Sequence, residues 1–353
     1  MEYNRIFTKK ERIQYGYYQF LDHFIGRERV FRLHEKSRRK FFRDIHNRLK
    51  EKNILGKSIP IERRKNLSIK EFKSHYIKKG IPVVIEGGAK EWGCVKKWTL
   101  EYFKELYGEE EILFVDHTKM EEDYERLTLG EIINSQNKKD AKYYRFYPLL
   151  QRHPEHLKDF DYNWLLKVKH KTIIAENFQV FLGGKDSYTA LHNAYACNVF
   201  TQAFGEKEFY LYPPEQTIAF DPDPAQNVYR NATYRYGDVF NPFEPDFEAH
   251  PLLKYIDHVH VHLKAGDILY NPPYWWHAVK NPIDSIGVGY RWAPPFHSFK
   301  RAPLYFFLDL FTRNPSMFTA QKLAETDVNL IQLAQTGRLE TYLKEKEKEQ
   351  NHT

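Results

Sequence analysis

Two histidines stand in contexts that suit metal chemistry. His192 lies in Ser187-Tyr188-Thr189-Ala190-Leu191-His192-Asn193-Ala194, just before two strand-like segments. His277 closes Gly266-Asp267-Ile268-Leu269-Tyr270-Asn271-Pro272-Pro273-Tyr274-Trp275-Trp276-His277, where one strand runs through a proline-fixed turn into a second. Imidazole is the commonest side-chain metal ligand, and the mouth of a barrel is a usual small-molecule site. Taken alone, two histidines 85 positions apart are weak support for a shared metal. His258, His260 and His262 alternate along one strand, and a solvated or core strand face accounts for them better than a metal does. Tyr274, Trp275 and Trp276 read as core or pocket wall. Lys207 is either an ordinary surface lysine or a buried cation, and a buried cation is costly unless an anion sits beside it.

Short strands and their turns must position these groups. Residues 1–52 read as helical, with Tyr15, Tyr18, Phe41, Ile45 and Leu49 among the apolar positions of amphipathic helices that pack on the main body. Residues 53–66 read as a loop. Ser68-Ile69-Lys70-Glu71 is a capping box that opens a helix to about Lys79. Gly80 to Ile85 follows as a buried strand, Gly87-Gly88 as a turn, Trp98 to Leu106 as a helix and Glu111 to Val115 as a strand. Aromatic and β-branched strands then dominate, among them Tyr143–Phe146, Phe178–Leu182, Asn198–Phe204, Glu208–Tyr212, His258–Leu263, Asp267–Tyr270 and Gly287–Trp292. Gly205-Glu206 has the chemistry of a two-residue hairpin turn. Many short strands broken by Gly, Pro and Asn predict an antiparallel barrel or sandwich rather than a βαβ fold. Helices return at Leu304–Phe311 and Met317–Gln335, before a charged tail over 344–353.

Composition excludes several classes. With 42% hydrophobic and 16% aromatic residues, the 353-residue chain has the apolar content to offset ordering entropy, so it is not a disordered chain. No run approaches the roughly 20 apolar residues of a membrane span. Met1-Glu2-Tyr3-Asn4-Arg5 has neither the apolar core nor the cleavage site of a secretory signal, and a soluble, cytoplasmic protein is expected. Cys94 and Cys197 are too few for a disulfide framework or a cysteine zinc site. Of the formal charge of +7, residues 1–57 hold a surplus of nine, from 16 Lys/Arg against 7 Asp/Glu. No nucleic-acid motif accompanies this basic arm, which reads as the solvated face of packed helices.

The stretch Gly266–His277 resembles the closing strand of JmjC/cupin-like oxygenases, which use Fe(II) and 2-oxoglutarate and include the asparaginyl hydroxylase of hypoxia signalling. Asn198-Val199-Phe200-Thr201-Gln202-Ala203-Phe204-Gly205-Glu206-Lys207, continuing to Pro213-Pro214, is similar to that family's hairpin. Ile81–Gly87 and Trp98–Tyr102 resemble its opening strand and helix. The likeness covers about residues 70–295. It implies a mainly β fold with flanking helices: a double-stranded β-helix (jelly roll) over 67–297, a basic helical extension over 1–66 and a C-terminal helical region over 298–353. It also implies that His192 and His277 bind iron and that Lys207 and Thr189 hold the distal carboxylate of 2-oxoglutarate. Asn198 matches a polar site residue, and Tyr144 an upstream tyrosine that caps the cosubstrate. Thr189 lies three residues from His192, so a local bend is needed to bring both to one face.

One position departs from the resemblance. The family's metal motif is His-x-Asp or His-x-Glu, and here it is His192-Asn193-Ala194. A two-His-one-carboxylate site holds Fe(II) by three facial ligands, so a methyl group at Ala194 opens one position. Chloride could fill it, as in the halogenases with the same replacement; water or another carboxylate could fill it; or the chain binds no iron and serves as a binding or scaffolding protein. The expectation is an Fe(II)/2-oxoglutarate enzyme that uses oxygen to oxidise an unactivated C–H bond, by hydroxylation or halogenation, on an amino-acid, peptide or small-molecule substrate. The helices around Leu304–Phe311 resemble dimerising helices of related oxygenases and imply a homodimer, with no membrane or nucleic-acid partner.

Overall fold

The structure is a computed structural model that describes residues 3–116, 123–136, 144–147, 149–174, 176–224, 229–231, 240–312, 341–342, 344–345 and 348. Thr8 starts helix α1 (Lys9–Leu21): its hydroxyl accepts from the Glu11 amide while the Glu11 carboxylate accepts from the Thr8 amide. A π-helical turn, Asp22–Gly26, leads into α2 (Arg27–Glu51). Tyr15 and Tyr18 of α1 and Phe41, Ile45 and Leu49 of α2 form one apolar cluster with Leu191, Tyr212, Ile218, Trp276 and Ala278. These helices therefore cover the body of the protein as the amphipathic pattern requires, and Arg39, Lys40 and Arg43 stay on the exposed side. Arg38 is instead buried, 2.8 Å from Asp22 and 2.7 Å from Asp221.

The strands run β1 (Arg63–Arg64), β2 (Val83–Ile85), β3 (Glu111–Asp116), β4 (Asp123–Thr128), β5 (Tyr144–Tyr147), β6 (Glu176–Gly183) and β7 (Tyr188–Ala194). They continue with β8 (Cys197–Phe204), β9 (Glu206–Tyr212), β10 (Tyr229–Asn231), β11 (Val259–Lys264), β12 (Ile268–Asn271), β13 (Trp276–Lys280) and β14 (Ser285–Trp292). A seven-stranded sheet has the order β1-β2-β12-β8-β14-β6-β5, and a five-stranded sheet β10-β7-β13-β9-β11. Strands β3 and β4 form a separate pair. Alternation along each strand sends one set of side chains inward, where Val84, Phe181, Phe200 and Leu269 of the larger sheet meet Phe209, Leu211, Val261 and Val279 of the smaller. The other face of the larger sheet, with Val83, Ile85, Val199 and Tyr290, packs on Phe72, Tyr76, Trp98 and Phe103 from the helical segments before it.

This architecture corrects the expectation of a mainly β, closed double-stranded β-helix or jelly roll. The described residues form a mixed α/β fold with three separate open sheets, none closed into a barrel. Among the described residues, edge strands β1 and β5, like β10 and β11, pair with one named strand each. Gly205-Glu206 is likewise not a hairpin. Strands β8 and β9 belong to different sheets, and Gly205, at φ +68°, turns the chain from one to the other. A Cβ there would lie 1.9 Å from the Asp284 carbonyl oxygen, so only glycine fits.

Helices Pro295–Arg301 and Pro303–Leu310 close the described body. In the second, Tyr305 and Leu308 face the protein's own core, while Phe307 and Leu310 are exposed. The helix expected over Met317–Gln335 and most of the charged tail lie outside the described residues. Among the described residues no helix is long and apolar enough to cross a membrane.

Candidate functional site

Strands β7 and β13 are hydrogen-bonded neighbours, and their register places His277 opposite His192. The two rings are 4.1 Å apart between centroids and tilted by 52°. One pair further on, Val279 faces Thr189, so two residues of β13 span three of β7. This bulge brings Thr189 to the face that carries His192, the bend its spacing demands. The Nδ1–H of His192 donates to the Ala190 carbonyl at 2.8 Å, which makes Nε2 the acceptor of that ring. His277 places Nδ1 3.1 Å from the Trp275 carbonyl, with the Asn271 amide against the same edge. Burial pushes the His277 imidazole down to about 4, aided by the charge of Arg291, so the ring is neutral at neutral pH.

Lys207 of β9 is fully buried. Its ammonium donates to the Asn281 side-chain oxygen just past β13, and burial lowers it from 10.5 to about 7. The ammonium also lies 5.9 Å from the centre of the Phe200 ring. Asn198 sits on β8 opposite Arg291, and the Asn198 side-chain oxygen is buried without a hydrogen-bond partner. Gly289 makes room for it, since a Cβ there would come within 2.8 Å of that oxygen. Tyr144 is on β5, paired with Leu182. Asn281 and Asn271 were not among the residues expected from sequence. The only hint was their position, one turn before or just after the strand that carries His277.

Five other side chains are held by the protein's own bonds. The Tyr274 hydroxyl donates to Asp309, Trp275 Nε1 to the Gly80 carbonyl and Trp276 Nε1 to the Thr217 hydroxyl, so each aromatic spends its polar tip within the core. His260 and His262 are exposed and pair with Glu208 and Glu206 across the β9–β11 ladder.

A model of the cupin-like domain matches residues 69–298. The chain belongs to the cupin-like domain family. This cupin-like chain is 29% identical over 244 residues to JmjC domain-containing protein D of Dictyostelium discoideum, a match covering 63% of the chain and 53% of that protein. It is 25% identical over 237 residues to lysine-specific demethylase 8 of Xenopus tropicalis, covering 64% and 51%. With human tRNA wybutosine-synthesizing protein 5 it shares 23% identity over 274 residues, covering 68% and 79%. The cupin-like chain thus spans about half the length of the first two relatives.

The donor set does not fit the expected iron. Ala194 offers only a methyl group beside the imidazoles, and Asn193 falls on the opposite face of β7 by alternation. Among the described residues no group of three or more His, Cys, Asp or Glu could hold a metal ion. A two-His-one-carboxylate centre takes its third protein ligand from a carboxylate, and the two imidazoles here have none beside them. The expectations of an Fe(II)/2-oxoglutarate oxygenase or halogenase, and of iron, 2-oxoglutarate, chloride and oxygen as its cofactors and partners, are therefore corrected. With them goes the oxidised amino-acid, peptide or small-molecule substrate. Of the residues behind the homodimer expectation, Leu308 is core, Leu304 and Phe306 pack partly buried against it, and Phe307, Leu310 and Phe311 are exposed.

Proposed function

We propose that this chain is a non-catalytic cupin-like binding protein, and that His192, His277, Thr189, Asn198 and Lys207 form a binding site for a small polar molecule between the two sheets. The observation that carries this reading is the methyl group of Ala194 where the family's metal motif has its carboxylate, with no group of three or more metal donors among the described residues. His192 is only partly buried, so solvent reaches this end of the inter-sheet space. The buried side-chain oxygen of Asn198, which has no hydrogen-bond partner, asks for a donor. A small molecule with an N–H or O–H that reaches this oxygen satisfies that demand. The demethylase and wybutosine-synthesizing activities named for the relatives are not assigned to this chain.

Anaerobic titration with Fe(II), followed by a measurement of succinate formed from 2-oxoglutarate under oxygen, tests the reading. The natural protein should bind no stoichiometric iron and form no succinate. Ala194→Asp, which restores a carboxylate beside the imidazoles, should gain metal binding. Stoichiometric iron with succinate formation in the natural protein would overturn the proposal.

A further inference from the structure

Away from the inter-sheet site, two clefts adjoin where residues 3–5, Lys57, residues 78–81 and helix Pro295–Arg301 come together. Their volumes are about 450 and 400 Å³, and they share Lys79, Gly80 and Arg301. Arg5 and Lys57 line the first, and Lys78 and Lys300 the second. Among the described residues no Asp or Glu lines either cleft. Like charges gathered in a concavity raise its potential and concentrate anions there.

The chain's own bonds fix part of this lining. The fully buried Asp257 carboxylate accepts from the Asn4 amide at 2.7 Å and from the Lys57 amide at 3.1 Å, which fixes the backbones of Arg5 and Lys57 side by side. Arg301 donates to the Tyr3 hydroxyl at 3.1 Å and lies 5.9 Å over the Trp275 ring. Glu215, at 3.3 Å, is the carboxylate that reaches Arg301, and it offsets one charge of the six. Gly80, at φ +64°, keeps the shared floor open: a Cβ there would lie 3.2 Å from the Arg301 side chain.

We propose that these joined clefts bind a small molecule carrying two or more phosphate groups. One phosphate would leave most of the six cations uncompensated, whereas two adjacent phosphates can take charge-assisted hydrogen bonds from both lobes. Clefts of this volume suit a small ligand rather than the long surface that a nucleic-acid backbone requires. This inference is independent of the inter-sheet site.

Calorimetric titration with inorganic pyrophosphate and with inorganic phosphate, at matched ionic strength, is the test. Pyrophosphate should bind the natural protein more tightly than phosphate. Lys57→Gln and Lys79→Gln should each weaken pyrophosphate binding by about tenfold. Lys40→Gln, on the exposed side of α2, should leave it unchanged. Equal affinity for the two anions, or equal behaviour of all three variants, would overturn the proposal. So would binding of a short single-stranded RNA that is weakened by the Lys57 and Lys79 changes when pyrophosphate gives no heat.

Discussion

Replacing Lys207 with methionine should stabilise the protein at mildly acid pH and lose that advantage at alkaline pH. The ammonium is fully buried, and burial lowers its proton affinity from the ordinary 10.5 to about 7. The unfolded chain keeps this proton up to about 10.5 and the native chain releases it above about 7. Between those limits the unfolded state binds more protons, so native stability rises with pH. Below about 7 the whole cost of keeping the charge buried is present, of order 5 kcal/mol at about 1.4 kcal/mol per pH unit. Methionine removes that cost but orphans the Asn281 oxygen, a loss of about 1–3 kcal/mol. The variant should therefore be more stable by about 2–4 kcal/mol near pH 6.5. Near pH 9 the natural protein has regained about 3 kcal/mol and the two should be nearly equal. Urea unfolding of both proteins at the two pH values reads this difference directly, because other titrating groups cancel in the comparison. A variant less stable by the same amount at both pH values would refute the reasoning.

Two further outcomes follow from packing. A Cβ on Gly287 would stand 2.1 Å from the ring of Phe200, so Gly287→Ala should cost about 2–3 kcal/mol in urea unfolding. Adding Phe200→Leu should recover part of that loss; no recovery would place the strain elsewhere. Arg38→Met should destabilise by about 3 kcal/mol, because it strips the fully buried Asp22 of its nearest cation. Pairing it with Asp22→Asn should restore most of the stability, and an additive double variant would show that the ion pair is not the cause.

Some of this molecule was legible in the residues and some was not. The apolar spacing of Tyr15, Tyr18, Phe41, Ile45 and Leu49 was sufficient to place α1 and α2 against the body, since a helix must bury such a face. The π-helical turn at Asp22–Gly26 carries no such pattern and went unread. Strand β7 was missed because Tyr188-Thr189-Ala190-Leu191-His192-Asn193-Ala194 is rich in alanine and weak in strand propensity; its neighbours, not its residues, make it a strand. Alternation marked β8 and β9 as strands but says nothing about which sheet each joins, so Gly205 was mistaken for a hairpin turn. At the site, the spacing of Thr189 and His192 correctly demanded the bulge. The missing carboxylate at Ala194 was equally visible, but the likeness of the surrounding motifs outweighed it, and the donor count in three dimensions reverses that weighting. Asn281, the partner of Lys207, lies 74 positions away, and no local pattern connects them.

The leading helices have a consequence for how the chain can be divided. A fragment confined to residues 69–298, the stretch shared with other cupin-like chains, would strip cover from Tyr212, Trp276 and Ala278 on the outer wall of the smaller sheet and from Ile218 just after β9. It would also leave Asp221 without the guanidiniums of Arg27 and Arg38. The recognisable portion of this polypeptide is therefore shorter than the portion that packs together, and the segment ahead of the shared stretch is the one that seals a hydrocarbon surface from water.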